Sequence, residues 1–415
     1  MGNLSKTFFF LFLTFTTLGC VTMKNTKRNI TASQILGNPD YLAISYGGYR
    51  TQSRRVTPTV AQLKEDMKIL SAMGVKIIRT YNVHLPEVNH VLEAIEELNK
   101  EISTFQMYVM LGAWIDCKNA WTGFEPNHNE ESERNPTEIE HAVELAKKYP
   151  EIIKIIAVGN EAMVKWASAY YVQPSVILKW VKHLQALKAK GDLPKDLWIT
   201  SSDNFASWGG GEAEYHVNDL NELIKAVDYI SLHTYPMHDT HYHPIFWGVK
   251  AGELEKSKEE QIELAMERAM QYAIEQYKAV EKYMQSLGVQ KTLHIGETGW
   301  ATHCNGLYGN KGAKATDEYK SGIFYKKMRK WTNENKISCF YFEAFDEIWK
   351  DASNAEGSEN NFGLFTLDGK AKWAIWDLVD KGVFKGLMRD GNPIQKTFEG
   401  NFQKLLNEVE IPKKL

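Results

Sequence analysis

At 415 residues the chain is long enough for one large domain or two of ordinary size. Its 43% apolar and 24% charged content excludes a disordered polymer. A formal net charge of −3, with no long basic block, excludes a nucleic-acid-binding footprint.

The chain opens on a targeting pattern. Lys6 precedes an apolar run from Phe8 to Leu18 that has the length of a signal h-region and is too short to span a bilayer. The run ends in Leu18-Gly19-Cys20, which resembles the bacterial lipobox, with Thr17 where that motif usually carries Leu. Lipidation of Cys20 is the expectation, with residues 1–20 as the signal peptide; an ordinary cleaved signal is the alternative. Val21 lacks the Asp that commonly marks inner-membrane retention, so the anchor points to the outer membrane of a bacterial cell envelope. Residues 21–38 are polar and read as a flexible tether. Cys117, Cys304 and Cys339 are then left at wide spacings, which makes neither a disulfide framework nor a cysteine zinc site, and buried free thiols are expected.

From residue 39 strand and helix signals alternate. Apolar runs rich in β-branched residues lie at 41–48, 75–82, 107–114, 152–161, 197–202, 228–235, 292–299 and 338–345, with amphipathic stretches such as 59–74, 86–100 and 175–191 between them. Eight such units predict a single α/β domain, a (β/α)8 TIM barrel over 39–384. No Gly-rich phosphate loop follows the first strand to favour an open doubly wound sheet. The longest connections, 115–136 and 236–257, are expected to wall a cleft at the barrel mouth. The segment 258–287 has Met and Tyr at helical spacing and reads as part of the outer ring. Residues 385–415 are expected to pack on the barrel as a helical tail.

The strand ends collect chemistry. In order they carry Tyr46, Arg79 and Tyr81, Trp114 and Asp116, Asn160 and Glu161, Asp203 and Asn204, His233 and Tyr235, Glu297 and Trp300, and Glu343 and Asp346. A parallel barrel gathers these tips into one mouth, so Glu161 and Glu297 can face each other across a substrate. Two facing carboxyls are what glycoside cleavage needs: one protonates the leaving oxygen while the other attacks the sugar carbon or activates water. Glu161 then acts as the acid, with its pKa lifted by burial or by the second carboxylate. Asn160 is placed to bond the 2-hydroxyl of the reacting sugar. Glu297 stands as the ionised partner, held by the phenol of Tyr235. Trp114, Trp247 and Trp300 offer flat faces for sugar rings. His238, His241 and His243 do not come with a matching carboxylate set, and two-glutamate catalysis calls for no metal or cofactor.

These contexts resemble glycoside hydrolase family 17. The resemblance spans roughly residues 40–380 and rests on Tyr46-Gly47-Gly48, Arg79-Thr80-Tyr81, Gly159-Asn160-Glu161, Glu297-Thr298-Gly299-Trp300 and Phe342–Lys350. It implies Glu161 as acid/base, Glu297 as nucleophile, and retention through a covalent glycosyl-enzyme on β-1,3-glucan. Glu343 and Asp346 match acidic positions that would bind sugar hydroxyls, or would hold Lys350 or Arg79 instead. Gly296 departs from the Ser that plant members commonly have before the nucleophile. The resulting expectation is a monomeric, lipid-tethered endo-β-1,3-glucanase. Glucanosyl transfer and non-catalytic glycan capture are its alternatives.

Overall fold

A computed structural model describes residues 1–2 and 30–415. The signal peptide, Cys20 and most of the tether lie outside the described residues.

Eight parallel strands close into a barrel in sequence order. They are β1 (Leu42–Ser45), β2 (Val75–Arg79), β3 (Tyr108–Ala113), β4 (Ile153–Asn160), β5 (Trp198–Asn204), β6 (Ile230–His233), β7 (Leu293–Thr298) and β8 (Cys339–Tyr341). Closure is made by Ile44 pairing with Tyr341. Seven of the eight expected strand runs contain one of these strands, and β5 continues two residues past the expected end at 202. Their nearly continuous burial follows from packing on both faces, since the interior is filled by side chains and the exterior by helices.

Local chemistry sets the helix limits. Thr59 and Gln62 form a capping box before Val60–Ala72, and Gly74 in the left-handed region ends that turn. Pro174 opens Pro174–Lys190 and Gly191 closes it at φ 83°. The long helix Lys258–Ser286 buries Ile262, Ala265, Met266, Ala269, Met270 and Ala273, as an outer-ring helix should. Cys117, Cys304 and Cys339 are buried free thiols.

Two terminal expectations need correction. Within the segment read as a tether, Ala32–Ile35 is a short helix whose Ala32 and Ile35 pack with Ala43, Ile77, Met110, Ile155 and Phe340. Gly37 N–H donates to Ser338 Oγ (2.9 Å), just ahead of β8, so this segment covers the base of the barrel. Nor is 385–415 a helical tail. It holds a small hairpin (Met388–Arg389 with Asn392–Pro393) and one seven-residue helix, Phe402–Glu408. Left-handed Gly386, Gly391 and Gly400 together with Pro393 interrupt any longer helix. The hairpin is fastened by Arg389, fully buried, whose Nε lies 3.0 Å from Asp66.

The connection after β3 forms a second hairpin, Cys117–Lys118 with Asn127–Glu131. The connection after β6 folds into the short helices Pro236–Tyr242 and Pro244–Trp247. Both connections contribute walls to a cleft of about 1890 Å³ over the C-terminal strand ends.

Candidate active site

Glu161 and Glu297 meet on the cleft floor. An oxygen of each and a ring nitrogen of His233 all lie within 4.8 Å of one another. The placement depends on irregular strand ends: pairing shifts between Ala157 and Asn160 in β4, and between Leu232 and His233 in β6. Such bulges re-aim side chains at barrel rims. Gly159 at φ 80° and Glu161 itself at φ 46° complete the turn. A left-handed Glu is costly, and it persists because Glu161 N–H donates to Ser202 O (3.0 Å) and Met163 N–H to Asp203 Oδ2 (2.7 Å).

The environments of the two carboxyls differ. Arg79, buried at the end of β2, donates to Glu297 Oε1 (2.6 Å), Gly296 O (2.8 Å) and Asn160 Oδ1 (2.5 Å). The Tyr235 phenol donates to Glu297 Oε2 (2.8 Å). Burial pushes the Glu297 carboxyl up, but His233, Arg79 and the phenols of Tyr235 and Tyr81 outweigh it and hold it below its ordinary value. Burial brings His233 down to about 4, so at neutral pH its ring is uncharged and the permanent charge on Glu297 is Arg79. For Glu161, burial and the charge of Glu297 act together and raise the carboxyl well above its ordinary value, with Arg79 opposing.

His233 links the pair. Its Nε2 faces Arg79 Nη1 (3.2 Å) and Ser202 Oγ (2.8 Å), and its Nδ1 faces Glu161 Oε1 (3.0 Å). A neutral ring donates from Nδ1–H to Glu161, and its single Nε2 lone pair accepts from Ser202 Oγ–H, with Arg79 Nη1 as the longer contact. Glu161 Oε1 is thereby an acceptor, which leaves Oε2 to carry the acidic proton. The trio has donor atoms that a cation could use; the buried guanidinium already supplies positive charge at the same place.

The comparisons with known proteins follow the same line. Residues 43–363 match the family model described as BtgE/BtgC glycoside hydrolase domain. The chain belongs to that family. The family 17 resemblance of its motifs stands with this. The glycoside hydrolase is 22% identical over 346 residues to a probable glucan endo-1,3-beta-glucosidase btgC of Aspergillus terreus, over 80% of this chain and 45% of the relative. It spans less than half the length of the curated relatives it matches. A solved endo-laminarinase from Formosa Hel1_33_131 is 65% identical with TM-score 0.93, covering 93% of this chain and 98% of that one. A glycoside hydrolase family 17 β-1,3-glucanosyltransferase of Rhizomucor miehei, 17% identical with TM-score 0.54 over 81% of this chain and 96% of that chain, shares the fold.

Of the residues expected in the site, Tyr46, Tyr81, Trp114, Asp116, Asn160, Glu161, Asn204, Tyr235 and Glu297 line the cleft of the glycoside hydrolase. Arg79 and His233 do not; they lie under the reacting pair and position it. Trp247 and Trp300 are corrections. They are 2% and 0% exposed, pack on each other (5.4 Å), and donate their indole N–H to Ala313 O and Ala315 O, so they are core and not sugar platforms. Asp346 is buried against Lys372 (2.7 Å), away from the cleft. Glu343 is also buried and holds Lys350 (2.5 Å), which does line the cleft, so the ion-pair alternative applies.

Glu347, Trp349, Trp121 and Trp166 line the cleft and were not among the expected site residues. The signal for Glu347 was present in Phe342–Lys350, where it adjoins the acidic residue that turned inward. Gly47 lies against it: a Cβ there would stand 2.3 Å from Glu347 Oε1. The departure at Gly296 also has a cause. A Cβ there would stand 2.1 Å from Ser231 Oγ and 2.3 Å from Ser202 Oγ, so neighbouring strands already supply the hydroxyls.

Proposed function

We propose that this glycoside hydrolase is a retaining endo-β-1,3-glucanase that cuts laminarin-type glucan into oligosaccharides. The observation that carries the reading is the pair itself: Glu161, its carboxyl raised by burial and by Glu297, and Glu297, its carboxyl held low, have oxygens within 4.8 Å of each other. Retaining enzymes keep their carboxyls about 5–5.5 Å apart, whereas inverting ones need about 6.5–9.5 Å to admit water. The 65% identity to a protein titled endo-laminarinase supports the choice of glucan and of internal cleavage.

In the first step Glu297 Oε attacks the anomeric carbon while Glu161 gives its proton to the departing glycosidic oxygen. One C–O bond forms as the other breaks, and a glycosyl ester of Glu297 results. Esterification removes the negative charge that had raised Glu161, so Glu161, now deprotonated, is stable as the base. It takes a proton from water as the water oxygen attacks the anomeric carbon, and Glu297 leaves as carboxylate. Asn160, fixed by Arg79, is placed to bond the sugar's 2-hydroxyl.

Time-resolved product analysis on unbranched β-1,3-glucan tests the reading. A ladder of oligosaccharides shrinking with time is expected. Glucose alone would mean exo action, products longer than the substrate would mean transfer, and no cleavage would refute the assignment.

The envelope location is part of the same proposal: Leu18-Gly19-Cys20 supports acylation of Cys20 and tethering of the catalytic domain outside the cytoplasm. Incorporation of labelled palmitate into the full chain is expected, and its persistence in Cys20→Ala would sink that part.

A further inference from the structure

One wall of the cleft carries an aromatic assembly that the two-glutamate chemistry leaves unused. Trp121, on the hairpin after β3, is 58% exposed yet is not loosely held. Its ring stacks on Tyr170 (5.2 Å, 24°) and leans on Trp114 (6.5 Å), while Trp114 and Tyr170 themselves meet at 5.2 Å. Trp114 and Trp121 come from the end of β3 and the connection after it, Tyr170 from the loop after β4, and the two segments are joined where Cys117 N–H donates to Tyr170 O (3.0 Å). Asn119 and Trp121 both sit in the left-handed region, at φ 67° and 63°. For a bulky residue that backbone is strained, and it is retained here by Asn119 Nδ2 donating to Glu125 O (3.0 Å) and Thr122 Oγ1 to Asn119 O (2.7 Å). A large apolar ring is thus held facing water, a conformation that gains nothing for folding.

Two neighbours indicate what lies against it. Trp166, 63% exposed, lines the same cleft from the loop that carries Tyr170. Asp116 sits among the indoles of Trp114 and Trp121 and pairs through Oδ2 with Arg134 (2.6 Å). Its side chain is 2% exposed, with Ser132 and the indoles of Trp114 and Trp121 beside it as further donors. Asp116 thus steadies the two indoles, and exposed flat rings suit a neutral polyol, whose C–H faces pack on indole. The same wall carries Glu133 and Glu138, which disfavours a polyanion.

We propose that Trp121 on its Tyr170–Trp114 base, steadied by Asp116, forms with Trp166 a hold for glucose units beyond the scissile bond, and that this hold makes long β-1,3-glucan a better substrate than short oligosaccharides. The inference rests on the β-1,3-glucanase reading and adds to it where chain-length preference is set. Tyr170 lies near enough to Glu161 and Glu297 to feel their charge, and Trp121 lies one ring further out. A short substrate can therefore occupy the reacting pair without reaching the hold.

The experiment is a chain-length series, from the trisaccharide through the heptasaccharide to unbranched β-1,3-glucan, on wild type, Trp121→Ala, Trp166→Ala and Trp121→Phe. For Trp121→Ala, kcat/KM on the polymer is expected to fall about 3- to 10-fold, mostly through KM, while the trisaccharide changes less than about twofold. Trp121→Phe should recover most of the loss. Equal losses at every length, or no loss on the polymer, would overturn the hold. Affinity electrophoresis in laminarin-containing gels, in a Glu297→Gln background, reads the hold without turnover. Retardation that weakens with Trp121→Ala supports it, and unchanged retardation refutes it. Should wild type cleave no β-1,3-glucan, the functional reading fails on its own, and the gel still decides the hold.

Discussion

On the cleft floor Arg79, His233 and Glu297 are buried and bonded to one another, whereas on the rim Trp121 and Trp166 leave 58% and 63% of their surface to solvent. The floor comes from strand ends whose positions the barrel fixes. The rim comes from connections whose length and shape the barrel leaves free. Preorganised charge suits the floor, because a transition state must find its partners already in place. Broad contact suits the rim, because a polymer needs holding and no bond changes there.

That contrast breaks most sharply if the floor proves dispensable. Glu297→Ala is expected to lower glucan hydrolysis by roughly 10⁴-fold or more while glucan binding stays near wild type, with some loss of stability because Arg79 is left buried without its carboxylate. Substantial residual turnover would remove Glu297 from the reaction. Glu161→Ala should cost about 10²- to 10⁴-fold on glucan, and much less on an aryl glycoside whose leaving group needs no proton. Equal losses on both substrates would argue against Glu161 as the acid.

Arg79→Met sharpens the comparison by altering the floor while both reacting carboxyls stay in place. It leaves Glu297 buried and unpaired, so stability should drop by about 3–5 kcal/mol. Activity requires Glu297 ionised and Glu161 protonated, so it rises as pH climbs through the Glu297 ionisation and falls through that of Glu161. In wild type the first is held low and the second high, which opens a wide plateau. Removing Arg79 raises Glu297, so the acid limb of kcat/KM should move to higher pH. An unmoved acid limb would show that Arg79 does not hold the nucleophile.

The smallest effect is expected at Gly296. Gly296→Ser brings a side chain onto Ser231 and Ser202, at a cost of about 1–3 kcal/mol in stability. The double variant with Ser231→Gly should recover part of it. If the single variant melts like wild type, the hydroxyls of β5 and β6 do not fill that space.

The difference between floor and rim also explains what the sequence made legible. Strand runs with period-free apolar character and carboxyls at their ends were sufficient to place Glu161, Glu297, Asn160 and Tyr235 at one mouth. Trp300, three residues past Glu297, was assigned to the cleft because strand-end position does not tell which way a side chain turns after the strand stops. Burial decided it, together with the indole bond to Ala315 O. Asp346 and Glu347 are adjacent and differ in the same way: one turned inward to Lys372, the other faces the cleft. Trp121 depends on a hairpin with two left-handed residues that no periodicity announces. The terminal segments were misread because low apolar content suggested exposure, whereas Ile35 and Arg389 reach buried partners singly.

The short helix Ala32–Ile35 gives the molecule a direction. Strand C-termini open into the cleft, and this helix seats against the opposite end. Ile30 therefore sits at the face remote from the substrate. Nine residues lie between Cys20 and Ile30, and the ten steps from one to the other have a fully stretched reach of about 35 Å. Were the chain anchored at Cys20, a barrel on so brief a leash would stand on its base with its mouth turned outward. It would meet polymer arriving from the medium and present its blind end to the surface that holds it.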